Sequence, residues 1–308
     1  MSADDVWTIQ RILTWTQQHF VAKGIQSARL DAEVLLASVM GVGRVQLYTN
    51  YDQPLRQEER AAFRALVQRR AAREPVAHIL GRKEFYSRDF AVTRDVLIPR
   101  PETEHLVDAV LEWIEKQELT APRIVDIGTG SGAIAVTLAC ELPQAAVVAT
   151  DVSQEALGVA RRNAEKHGVA DRIEFLHGDL FESLGDESPR RFDVVVSNPP
   201  YVDVEARDVL QPEVRDWEPE VALFAGEGGL AVVQRLCAEV HPHLEAPGLF
   251  ACEIGYDQQA LVVALLADAG PWARNEVLPD LQGHPRVALA ERAPKPPITV
   301  RKAASSET

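Results

Sequence analysis

The chain has 308 residues, 46% of them hydrophobic, and a net charge of −14, which suits roughly two soluble domains of about 100–200 residues each. A protein that grips DNA through many phosphates usually carries a basic face, so this acidic balance argues against stable DNA binding. No stretch approaches the ~18 continuous apolar residues of a membrane span and the acidic first residues lack a signal-peptide layout, so no membrane contact, no export and a cytoplasmic location are expected.

Residues 4–23 place Val6, Ile9, Ile12, Leu13 and Phe20 at helical spacing, and Gly24 ends the pattern. Residues 28–40 repeat it, with Ser27 as the expected N-cap and Gly41 as the C-cap. Residues 56–73 form a third helical stretch that carries Arg56, Arg60, Arg64, Arg69, Arg70 and Arg73. That row reads either as a solvated helix face or as a contact surface for an acidic or RNA-bearing partner. Residues 84–92 suggest a hairpin or extended connector, with Asp89 between two short runs. The two prolines of the following segment keep it extended, and a helix starts at Pro101 with Glu102 and Glu104 in its first turn, running to about Lys116. The Arg100-Pro101-Glu102 start reads as a capping device or as the wall of a ligand site.

From residue 123 strands and helices alternate. Strands are expected at 123–127, 145–150, 172–177, 192–197 and 249–254, with helices at about 132–141, 153–167, 229–243 and 257–268. The alternation predicts an α/β fold with a doubly wound parallel sheet, whose ligands sit outside the carboxyl ends of the strands. Two more strands, 275–278 and 286–291, surround a turn at Gly283, and residues 293–308 lack a core-forming pattern and are expected to be a disordered tail. Cys140, Cys237 and Cys252 have no C-x-x-C spacing and fit small buried hydrophobes.

The first of these strands ends in Asp126 and is followed by Gly128, Thr129, Gly130, Ser131 and Gly132 before a helix. Glycines at alternate positions permit a tight turn and the close approach of a ligand. Ala133 stands where a dinucleotide fingerprint has its third glycine, which disfavours NAD or FAD. Asp151 ends the next strand, where a carboxylate can accept from both ribose hydroxyls of a nucleoside or simply cap the helix behind it. Asp179 follows the third strand and could bond an adenine amino group while Leu180 packs on the ring, although a plain turn Asp fits as well. The fourth strand ends in Asn198-Pro199-Pro200-Tyr201. Prolines hold that loop extended. The Asn198 amide oxygen and a backbone carbonyl could then accept both hydrogens of a planar NH2 group, with the Tyr201 face against it. No P-loop, no H-E-x-x-H and no Gly-x-Ser-x-Gly pattern occurs, so no metal site, ATP hydrolysis or esterase chemistry is expected. Glu253 ends the fifth strand and could face the site, although a strand-end carboxylate needs no function.

Asp126 to Gly132 together with Asp151 resemble the cofactor half of class I S-adenosylmethionine-dependent methyltransferases. Asn198 to Tyr201 resemble the Asn-Pro-Pro-Tyr motif of methyltransferases acting on planar NH2 groups. The segments at 98–104 and 280–287, with the helical N-terminal part and its hairpin, are similar to the peptide chain release factor glutamine methyltransferase family over about residues 5–292. The resemblance implies a Rossmann-like methyltransferase sheet (100–292), a helical substrate-recognition domain (1–80) and a hairpin connector (81–99). It also implies S-adenosyl-L-methionine as cofactor and class I peptide chain release factors as partners, methylated on the glutamine of a Gly-Gly-Gln motif. Cofactor contacts are then expected from Asp126, Gly128, Thr129, Gly130, Ser131, Gly132, Asp151, Asp179, Leu180 and Asn198. Substrate contacts are expected from Asn198, Pro199, Pro200 and Tyr201, of which Asn198, Pro199 and Tyr201 take part in catalysis. The family often carries an aromatic where Leu180 stands, so a plain apolar contact replaces stacking. Other readings of the same motifs are a ribosomal-protein glutamine methyltransferase, a DNA adenine-amino methyltransferase and a non-catalytic ribosome-associated module.

Overall fold

The computed structural model describes residues 6–185 and 189–294. Apart from residues 293 and 294, the expected C-terminal tail lies outside the described residues.

The chain begins with helices α1 (Ile9–Ala22), α2 (Ala28–Met40), α3 (Arg44–Thr49), α4 (Gln57–Ala71) and α5 (Val76–Leu80). Thr8 caps α1 with its side chain, and Gly41 ends α2 in a left-handed conformation, while the Ser27 side chain makes no capping bond. The apolar faces of α1, α2 and α4 meet in a core built on Leu13, Phe20, Leu35, Leu36 and Phe63. Four of the six arginines in and beside α4 pair with carboxylates of the chain itself. Arg56 pairs with Glu59, Arg69 with Glu74, and Arg70 with both Asp31 and Glu213, while Arg73 also reaches Glu213.

Strands β1 (Arg82–Phe85) and β2 (Arg88–Ala91) form an antiparallel hairpin. Its turn is Tyr86-Ser87, both at positive φ, so Asp89 lies inside β2 rather than between the strands. A 3-10 turn over Pro101–Thr103 then leads into α6 (Glu104–Lys116).

The large sheet contains β3 (Arg123–Ile127), β4 (Ala146–Asp151), β5 (Ile173–His177) and β6 (Phe192–Ser197). Two-residue strands β7 (Val202–Asp203) and β8 (Phe224–Ala225) pair apart from it. It is completed by β9 (Leu244–Glu253), β10 (Arg274–Pro279) and β11 (Pro285–Arg292) in the order β10-β11-β9-β6-β3-β4-β5. The run β9-β6-β3-β4-β5 is parallel, and β11 is inserted antiparallel between β9 and β10. Helices α7 (Ala133–Glu141) and α8 (Gln154–Lys166) follow β3 and β4. Alternate strand residues serve opposite faces, as a period of two requires. Ile124, Val194 and Val196 pack with α6 and α7, whereas Val125, Ile127 and Val195 pack with the helices Ala231–Glu239 and Gln259–Ala269. Strand order reverses between β3 and β6, which opens a crevice at their carboxyl ends.

Cys237 and Cys252 are buried and Cys140 is half-buried; burial pushes the Cys237 thiol up to about 12. Among the described residues, no helix is long and apolar enough to cross a membrane.

Candidate active site

The crevice holds a cleft of about 290 Å3 between β3, β4, β6 and the segment before α6. Gly128 and Gly130 both adopt left-handed φ (74° and 56°). A Cβ at either would meet nothing within 4 Å. The turn therefore needs glycine for its backbone and leaves that backbone bare on the ligand side. Gly128 N–H and Thr129 N–H both donate to the Thr150 carbonyl at 2.9 Å, which fixes the turn against β4. Beneath it, Asp126 is fully buried. Its Oδ2 accepts from Thr129 Oγ1 (2.6 Å) and Ala135 N–H (3.2 Å), while its Oδ1 has no protein partner. Burial, opposed by those two bonds, pushes its carboxyl up to about 7.

Asp151 ends β4. Its Oδ2 accepts from Gly130 N–H and its Oδ1 from Ser153 N–H, both at 2.8 Å. Each oxygen keeps a second lone pair, so the carboxylate can still accept from a ligand. Burial raises its carboxyl above the usual range, against those hydrogen bonds. Asp179 is half-buried and accepts from Arg235 Nη1 at 2.8 Å. Leu180, at a φ of 45°, lines the cleft. Phe181, next to it, stacks on His243 in the core with ring centroids 4.6 Å apart.

Asn198 follows β6, where Ser197 Oγ donates to the Ile127 carbonyl (2.7 Å) and ties the two strand ends together. Asn198 Nδ2 donates to Thr103 Oγ1 (3.0 Å), and Thr103 Oγ1 donates to Glu253 Oε2 (2.6 Å). The Tyr201 phenol donates to the other oxygen, Glu253 Oε1, at 3.1 Å. Glu253 is thus a buried acceptor shared by two segments of the site. Burial raises its carboxyl, opposed by the Thr103 hydroxyl, the Arg286 charge and the Tyr201 hydroxyl.

Gly128, Thr129, Gly130, Ser131, Asp151, Asp179, Leu180, Asn198, Pro199 and Pro200 all line the one cleft. Asp126 sits under the glycine turn, Gly132 begins α7 behind it, and Tyr201 faces Glu253; none of these three is among the lining residues. Pro99, Arg100 and Thr103 form a wall of the cleft, whereas Pro101 and Glu102 of the Arg-Pro-Glu start are not among its lining residues. Arg100 is held there by Glu218, whose carboxylate also accepts from Ile98 N–H at 3.0 Å. Sequence reasoning missed Val152, Val221, Ala222 and Val232, which add apolar surface to the cleft. Val152, directly after Asp151, had a signal in its position; the others come from the helices Glu220–Leu223 and Ala231–Glu239, distant in sequence, and had none.

Two family profiles match the chain: the PrmC N-terminal domain over residues 11–81 and the methyltransferase small domain over residues 106–246. The chain is 44% identical over 266 residues to a release factor glutamine methyltransferase of Geobacter sulfurreducens, covering 86% of this chain and 90% of that protein. It is 40% identical over 294 residues to a release factor glutamine methyltransferase of Rhodopirellula baltica, covering 95% and 99%. Among solved structures, the catalytic domain of human hMettl16 in complex with the MAT2A 3'UTR hairpin 1 aligns with a TM-score of 0.54 at 22% identity, over 75% of this chain and 84% of that one. At that identity the likeness speaks for the fold alone.

Proposed function

The chain belongs to the release factor glutamine methyltransferase family, and we propose that it methylates the side-chain amide nitrogen of the glutamine in the Gly-Gly-Gln motif of class I peptide chain release factors, with S-adenosyl-L-methionine as methyl donor. The observation that carries this reading is the meeting of the glycine turn and the Asn198–Pro200 loop in a single cleft. The residues suit the donor. The bare faces of Gly128 and Gly130 leave room for a ligand against the backbone, and Asp151 retains lone pairs for ribose hydroxyls. Asp179 has its second oxygen available to an adenine amino group, and Leu180 and Val152 supply apolar contact. When bound, the cofactor supplies a methyl group on a sulfonium with a good leaving group.

An amide nitrogen is a weak nucleophile because its lone pair is delocalised into the carbonyl. The protein's share of the work is then position and electrostatics. Asn198 Oδ1 and the Pro199 carbonyl accept the two amide hydrogens, aim the nitrogen, and stabilise positive charge as it grows there. Tyr201 supports the loop from behind through Glu253. No general base is needed before transfer, because the methylated amide is acidic and loses its proton to water afterwards.

The test is a labelling panel: the protein, tritiated S-adenosylmethionine, and purified release factors, ribosomal proteins and duplex DNA in parallel. Label in a release factor alone is expected. Label confined to a ribosomal protein or to DNA, or no label anywhere, would overturn the assignment.

A further inference from the structure

We propose that Thr103 and Glu253 are positioning residues that set which end of the Asn198 amide faces the cleft. The inference rests on the reading of Asn198 as the acceptor for a substrate NH2 group. A primary amide has the same outline either way round, and only its partners decide whether oxygen or NH2 points outward. With NH2 outward, the clamp would offer hydrogens to hydrogens and hold nothing.

Asn198 sits 3.0 Å from the Thr103 hydroxyl. A hydroxyl can donate or accept, so Thr103 alone cannot choose between the two orientations. Its single hydrogen is committed elsewhere, to Glu253 Oε2 at 2.6 Å. Glu253 as a carboxylate only accepts. The hydroxyl is left with lone pairs toward Asn198, so the amide must present its NH2 to Thr103 and its oxygen to the cleft. The Tyr201 hydroxyl loads the second carboxylate oxygen at 3.1 Å, so Glu253 has no reason to turn away from Thr103. The three partners are drawn from the start of α6, the loop after β6 and the end of β9. A purely local role does not account for Thr103, which stands at the N-cap position of α6 yet makes no side-chain capping bond. Nor does solvent satisfy the pair, since Thr103 is 4% and Glu253 1% exposed.

Single-turnover methylation of a release factor at saturating cofactor separates the outcomes. Thr103→Val keeps the shape and removes the relay, and should slow transfer roughly tenfold to a hundredfold. Thr103→Ser keeps the hydroxyl and should stay within about threefold of wild type. Cofactor affinity by calorimetry should be unchanged in both. Thr103→Val transferring as fast as wild type, or Thr103→Ser as slow as Thr103→Val, would overturn the inference. A wild-type protein that labels no release factor would instead count against the substrate assignment. The orientation itself is then decided by neutron diffraction of the wild-type protein without any substrate. Deuterium on Asn198 Nδ2 directed at Thr103 is expected, and the amide oxygen directed at Thr103 would refute it.

Discussion

A Cβ at Gly229 would stand 2.3 Å from the Tyr201 carbonyl oxygen and 2.9 Å from Gln258 Nε2, at a φ of +82°. Gln258 Nε2 donates to that same carbonyl (3.1 Å) and to the Gly229 carbonyl (3.3 Å), while its oxygen accepts from Gly255 N–H. The end of the Asn198–Tyr201 loop is therefore bolted to the region after β9 through a contact only glycine allows. Gly229→Ala adds left-handed strain to a backbone clash, and should lower stability by about 2 kcal/mol or more in urea unfolding. Asp126 gives a pH signature. Its folded carboxyl stands at about 7 against an ordinary 3.8, so the unfolded chain loses its proton first as pH rises. Stability from this group is full below about 4, falls as pH rises to about 7 and is level above. The Asp126→Asn protein should therefore gain on wild type across that window, by on the order of 3 kcal/mol, and run parallel to it at higher pH. Asn198 was legible as a cleft residue because a strand end followed by prolines marks a ligand-facing turn, and Asp151 because it ends the strand that follows the glycine turn. Glu253 was legible only as a strand-end carboxylate that could face the site: its partners lie 150 and 52 positions away, and no local pattern reports a hydrogen bond at that range.

The parallel strands and their helices were legible for a plain reason: buried runs and helical periods recur in alternation from residue 123 onward. The short helices α3 and α5 and the insert between β7 and β8 were not, being too brief for a period to show. That insert is one place where the helical part meets the rest of the molecule. Glu213, in the helix Pro212–Arg215, accepts from Arg70 Nη2 (2.7 Å) and Arg73 Nη2 (2.5 Å) of the α4 region. Five residues further on, Glu218 holds Arg100 and the Ile98 peptide on the cleft wall. One element thus joins the helical part to the rim of the site. Arg70 is 4% exposed, so removing the Glu213 charge leaves a buried guanidinium facing the Asp31 carboxylate and the neutral Glu74 carbonyl. Glu213→Gln should cost about 1–3 kcal/mol, and limited proteolysis should show faster cleavage within residues 202–225.

At the scale of the whole molecule, a net charge of −14 and an arginine-rich helix pointed in opposite directions from the sequence alone. The structure resolves the tension by pairing Arg56, Arg69, Arg70 and Arg73 with carboxylates of the chain itself. Arg60 and Arg64 instead line a groove with Trp7, Trp15 and His19 between α1 and α4. Periodicity shows that a residue is on a helix, but not whether its charge is met from another segment, so neither sequence reading of that helix foresaw this. The sheet brings the glycine turn and the Asn198 loop to one edge, where the Asn198 amide oxygen is proposed to hold the group being methylated. The most direct test is single-turnover methylation of a release factor by wild type and Asn198→Ala, with mass spectrometry of the Gly-Gly-Gln peptide and calorimetry of cofactor binding alongside. One methyl group on the glutamine side chain is expected with wild type, and for Asn198→Ala a rate lower by roughly 10²–10³-fold at unchanged cofactor affinity. An Asn198→Ala protein that methylates that glutamine at the wild-type rate would contradict it.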